Sequence, residues 1–204
     1  MLDENLLLDS ASCVSNHINI TEGCPESQSA GVLQSWYVLR ATYSRELKVC
    51  EELGRMGVRT FVPMIRKTKV VDGKTERQLA PAVGSMCFVY WTKDAIDEYI
   101  RGFGGNSPVH YYWDRIGNKP LTVPRQAMED FIAVASTRDE DIIYMTEVSD
   151  RLREGEKVKV TGGPFKGVHG TVVRIRKSRR IMVEIPGMLA VASAYVPLKD
   201  LEII

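Results

Sequence analysis

The sequence predicts an α+β body built on an antiparallel sheet with packed helices, followed by a small all-β domain. Three observations carry that prediction. Dense aromatic and β-branched runs alternate with helical apolar spacing over residues 35–136. A glycine-punctuated stretch of pure strand alternation then closes the chain. The charge also falls in blocks. Residues 1–34 carry five acids and no Lys or Arg, 35–136 fifteen bases and eleven acids, 137–150 one base and five acids, and 151–204 eleven bases and five acids. A net charge of +1 therefore hides two basic bodies flanked by acidic segments.

Residues 1–34 mix Ser, Asn, Gly and acids with few aromatics, so a disordered acidic tail is expected. Trp36-Tyr37-Val38-Leu39-Arg40-Ala41 suits a central strand. Ser44 offers an N-cap, Leu47, Cys50, Leu53 and Met56 recur at helical spacing, and Gly57 ends the helix. Arg59 to Pro63 reads as a strand. Ile65 to Val71 and Lys74 to Leu79 read as a hairpin around Asp72-Gly73. Met86 to Trp91 is a nearly continuous apolar strand, Thr92 caps a short helix carrying Ile96, Tyr99 and Ile100 inward, and Val109 to Trp113 is another strand. Pro124 suits the first position of a last helix with Met128, Phe131, Val134 and Ala135 on its apolar stripe. Residues 137–150 read as an acidic linker, although Ile142, Ile143, Tyr144 and Met145 are too apolar for a purely solvated tether and suit docking on a domain.

In residues 151–204, Val158 and Val160 alternate with Lys157 and Lys159. Gly162, Gly163 and Pro164 reverse the chain, and Gly167 and Gly170 bracket Val168-His169 before Thr171-Val172-Val173 restarts a strand. Arg174, Arg176, Lys177, Arg179 and Arg180 place five bases within seven residues at the next turn, which favours an anionic partner.

Several functions are disfavoured by the same reading. Cys13, Cys24, Cys50 and Cys87 show no zinc spacing, so no metal or cofactor is expected and a reduced, cytoplasmic protein is the simple reading. No apolar run suits a membrane span. His17, His110 and His169 have no spaced catalytic partner, and Gly102, Gly104 and Gly105 do not form a phosphate loop. No catalytic residue is expected.

The run Gly163, Pro164, Phe165, Gly167, Gly170, Thr171, Val172 resembles the KOW motif, which forms part of an SH3-like barrel. The upstream body resembles the NGN domain of the NusG family. Ser35-Trp36-Tyr37-Val38-Leu39 is similar to that family's opening strand, and Thr60-Phe61-Val62-Pro63 to the strand that leads into its basic hairpin. The order NGN, linker, KOW covers residues 35–204. One stretch departs from the pattern: Ala80 to Val89 lacks the aromatic residue expected near Met86. With the acidic tail and the RIRKSRR turn, this makes a specialised paralogue of the UpxY or RfaH type more fitting than the housekeeping factor.

The resemblance implies a monomeric elongation and antitermination factor that binds RNA polymerase and reduces pausing and termination on long operons such as those for surface polysaccharides. It implies polymerase contacts through Tyr37, Leu39, Val83, Met86 and Phe88, for each of which a core role is the structural alternative. It places Arg40, Tyr43, Arg45 and Lys48 near non-template DNA, against solvated helix charge as the alternative. Arg66, Lys67 and Lys69 would add phosphate contacts or protect a strand edge. For the C-terminal domain two partners stay open: a ribosomal protein or termination factor, with Phe165 as an anchor, or nascent RNA through Arg174, Arg176, Lys177, Arg179 and Arg180. A general NusG and a ribosome-associated RNA-binding KOW protein are the competing identities.

Overall fold

The computed structural model describes residues 33–71, 74–114, 116–137, 142–146, 155–175, 177–185 and 188–204. Residues 1–32 of the expected acidic tail, the Asp72-Gly73 turn, Arg176 and most of the expected linker lie outside them.

The first body opens with β1 (Ser35–Ala41), a 3₁₀ turn at Thr42–Ser44 and α1 (Glu46–Arg55). It continues through β2 (Arg59–Phe61), the hairpin β3 (Met64–Val71) and β4 (Lys74–Pro81), β5 (Met86–Trp91) and α2 (Lys93–Arg101). Four short strands follow, β6 (Val109–Tyr111), β7 (Trp113–Asp114), β8 (Lys119–Pro120) and β9 (Thr122–Val123), and then α3 (Arg125–Ala135). The sheet runs β2-β5-β1-β6 with β9 also on β1, all antiparallel. β1 is central because its apolar run tolerates burial on both faces. Its outer edge is shared, with β6 along Leu39–Ala41 and β9 along Trp36–Tyr37.

Alternation sorts the core onto the two faces. Tyr37, Leu39, Cys87 and Val89 face α1 and α2, packing with Val49, Cys50, Leu53 and Ile96. Trp36, Val38, Met86 and Phe88 face α3, packing with Met128 and Phe131. The rings of Phe61, Phe88 and Phe131 meet at 5.9 to 6.4 Å between centroids. Thr92 caps α2 as expected, its Oγ1 accepting from Ala95 N at 3.3 Å. Ser44 does not cap α1. Arg45 holds the cap position without a side-chain bond, because Ser44 lies in the left-handed region at φ 53°. Pro124 likewise stands one place earlier than expected, with Arg125 first in α3.

The second sheet has six strands in the order β10-β14-β13-β12-β11-β15. These are β10 (Ile143–Met145), β11 (Lys157–Val160), β12 (His169–Ile175), β13 (Ser178–Ile185), β14 (Leu189–Tyr195) and β15 (Leu201–Ile203). Val158 and Val160 are buried as the alternation required. Gly163 and Gly167 take positive φ, whereas Gly162 is extended at φ −146° and is glycine because Asp200 crowds it. The apolar run in the segment read as a linker is a strand, paired with β14 from Ile143↔Ala192 to Met145↔Ala190. α3 joins the two bodies: it packs on β1 and also on β12, β13 and β14, so one apolar cluster runs from Trp36 to Val191. Across that junction Asp130, 5% exposed, approaches His169 with Oδ2 3.4 Å from Nδ1, while Gln126 Nε2 donates to Asp130 Oδ1 at 3.2 Å. No helix among the described residues is long and apolar enough to cross a membrane.

Candidate nucleic-acid interface

The end of β1 is pinned on both sides. Ala41 N donates to Ser85 O at 3.0 Å and Thr42 N to Pro108 O at 2.8 Å. The chain must then turn sharply into α1, and it does so through Tyr43 at φ 58° and Ser44 at φ 53°. Neither is glycine, so each residue costs on the order of 1–2 kcal/mol in the left-handed region. That conformation holds the Tyr43 ring 86% exposed. Arg45 reaches back over it, its Cζ 5.7 Å from the ring centroid.

Lys48 lies one helical turn beyond Arg45 and is exposed, and Arg40 is exposed on β1. His110, which sequence pattern did not nominate for nucleic-acid contact, pairs directly with Arg40 across β1 and β6 and is also exposed. Only long-range strand pairing brings it there. Arg40, Arg45 and Lys48 form no ion pair among the described residues. By contrast Arg55, Lys93 and Arg125 each bind a carboxylate one turn away on their own helix. The N-terminal end of α1 adds its own partial positive charge, offset from below by the buried Glu46. An exposed ring with a guanidinium beside it can stack on a base and hold a phosphate.

The other expected bases are arranged differently. Arg66 and Lys67 are exposed along β3, and the side chain of Lys69 lies outside the described residues. Arg174 and Arg179 are cross-strand partners, and Lys177 sits in the turn at φ 66°. Arg180 is not part of a solvent-facing tip: it is 7% exposed, and its Nη1 donates to Ser193 O at 2.8 Å. A guanidinium buried against a strand carbonyl holds β13 to β14.

The five apolar candidates divide between the faces of the first sheet. Tyr37 and Leu39 pack under α1 and α2, with the Tyr37 ring 5.9 Å from Tyr111. Phe88 is wholly buried beside Phe131, Met86 is buried on the same face, and half-buried Val83 packs at the edge of that cluster. Phe165 is buried in the cluster that reaches α3. Among the described residues no group of three His, Cys, Asp or Glu is placed to hold a metal ion. The buried Cys50 and Cys87 are free, and the Cys87 thiol is pushed well up by its hydrogen bond with Cys50 and by burial.

Residues 34–132 match the family model described as "Transcription termination factor nusG". The first body is a NusG-family domain. No curated protein matches the chain. Among solved structures, the one described as "Domain interaction in Thermotoga maritima NusG" aligns with 84% of this chain and 98% of that chain, at 18% identity and a TM-score of 0.43. Within the NusG-family domain the match begins at Gln34, immediately before β1, and ends inside α3. The β1–α1 turn with its unpaired bases therefore lies within the matched segment.

Proposed function

We propose that this protein is a transcription elongation factor that binds RNA polymerase through its NusG-family domain and reduces pausing and termination. The NusG family match over residues 34–132 carries that reading. In it, residues 35–136 are the polymerase-binding body, 137–150 an acidic connector and 151–204 a KOW domain with an SH3-like barrel. Arg40, Tyr43, Arg45 and Lys48 contact single-stranded DNA in the transcription complex, and His110 joins them. The exposed Tyr43 ring with the Arg45 guanidinium over it supports this part. Specialisation for particular long operons, such as those for surface polysaccharides, is the finer proposal, and it rests on the unusual Ala80–Val89 stretch and the basic β12–β13 turn.

The test is retention of purified core RNA polymerase, followed by elongation on templates with and without the native leader. Retention and leader-dependent read-through are expected. Retention of ribosomal subunits without polymerase would overturn the reading, and uniform read-through would make the protein a general factor. Arg45→Glu with Lys48→Glu should weaken binding of a single-stranded oligonucleotide and flatten its salt dependence.

A further inference from the structure

Tyr37, Leu39, Met86 and Phe88, expected to touch polymerase, are instead buried in the fold. A partner of the first body must therefore be gripped by other side chains, and the open edge of its sheet offers one. β2 is the outermost strand there. Tyr90 of β5 is the register partner of both Arg59 on β2 and Trp36 on β1, so the three residues form one row across the sheet. Cross-strand partners share a face, and Phe61, Phe88 and Val38 on the adjacent row belong to the apolar cluster under α3.

Along this row the Arg59 guanidinium is anchored without being neutralised. Its Cζ lies 5.1 Å from the centroid of the Trp36 ring, and the Tyr90 ring lies 5.4 Å from the same ring. Arg59 is half-buried and forms no ion pair among the described residues. Its Nε is buried without an acceptor, as is Nε1 of Trp36. Nη1 and Nη2 reach the surface with no hydrogen-bond partner among the described residues. A charge held partly out of water with its N–H groups unpaired is costly until an acceptor arrives.

We propose that an aspartate or glutamate side chain of RNA polymerase docks on Arg59 at this edge. The proposal rests on the polymerase-binding reading and assigns it a contact. Nη1 and Nη2 donate in parallel to the two oxygens of a carboxylate, a two-bond fork that fixes orientation as well as charge. Stacking on Trp36 holds the fork in place before the partner arrives, which lowers the ordering cost of binding. Arginine, tryptophan and tyrosine are also the residues in which the binding energy of protein interfaces concentrates. Nucleic acid fits less well. Trp36 is 1% exposed and covered by the guanidinium, so its ring offers no face to a base, and the row supplies a single cation where a phosphate backbone takes several.

Arg59→Gln removes the charge and keeps a polar side chain. It is expected to weaken retention on core RNA polymerase free of nucleic acid by about ten- to a hundredfold. Arg59→Lys should recover only part of the loss, because an ammonium keeps the charge and lacks the fork. Both variants are expected to keep the parent's amide spectrum in β1 and β5, which tells a lost contact from a lost fold. Equal retention of parent and Arg59→Gln overturns the proposal and leaves the polymerase reading standing. Full retention by Arg59→Lys overturns the fork, and it decides the matter if Arg59→Gln alone loses the amide spectrum. A deficit confined to the assembled elongation complex and absent with nucleic-acid-free core would make the acceptor a phosphate, which also overturns the proposal. If the parent itself is not retained by core polymerase, the polymerase reading fails and this contact fails with it.

Discussion

Gly170 has no room for a side chain: a Cβ there would lie 2.5 Å from Ile181 Cγ2 and 2.7 Å from the Met182 carbonyl oxygen. Gly170→Ala is therefore expected to lower stability by about 1–3 kcal/mol in urea unfolding, and an unchanged midpoint would show that β12 and β13 can part there. Asp97 supports a pH prediction. Burial alone would raise its carboxyl pKa, but hydrogen bonds from Lys93 and Tyr111, with the charges of Lys93 and Arg101, outweigh it and hold the pKa below the ordinary 3.8. A depressed folded value means stability present above the ordinary range and lost as pH falls through it. Asp97→Asn should flatten the fall in stability below about pH 4, as followed by thermal unfolding across pH. Single residues were also where sequence pattern misled. Arg180 reads as one of five clustered bases, and nothing local reveals that the irregular pairing beside Met182 and a carbonyl thirteen residues away draw it inside.

At the scale of elements, α3 is the member on which both sheets depend. Phe131 meets Phe61, Phe88 and Tyr144 with ring centroids 5.9 to 6.5 Å apart. Phe131→Ala should cost about 3–5 kcal/mol in denaturant unfolding, and probes in the two sheets should lose stability together. Much of this architecture was legible. β5 is a continuous apolar run with a capping Thr92 directly after it, so its bounds and the helix start could both be read. β7, β8 and β9 could not, because two-residue strands carry no alternation and exist only through what they pair with. The candidate site shows the same division. Arg40, Tyr43, Arg45 and Lys48 were readable as a basic, aromatic turn, whereas His110 comes beside Arg40 by β1–β6 pairing that no local pattern encodes. Register also explains why five apolar candidates did not converge: Val38, not Tyr37 or Leu39, stands opposite Phe88, so neighbours in sequence fall on opposite faces.

For the whole molecule, the junction between the bodies combines a continuous apolar cluster with polar contacts, among them Asp130 with His169. Removing the imidazole leaves a buried carboxylate with Gln126 as its remaining partner here. His169→Ala is expected to cost about 1–3 kcal/mol and to speed hydrogen exchange in α3 more than in β1, which lies away from His169. Equal exchange in both would mean that the pair does not secure the junction. The docking of Ile143–Met145 on β14 has a further consequence in time. During synthesis the ribosome delivers Ile143 forty-nine residues before its partner Ala192, an interval on the order of 2–10 s at ordinary translation rates. Throughout it the emerging apolar strand has no second sheet to join. The Tyr144 ring rests on Phe131, and its hydroxyl lies 3.4 Å from the carbonyls of Met64 and Ala135, all residues made earlier. The first-made body thus offers the nascent strand a holding surface until the last strands arrive.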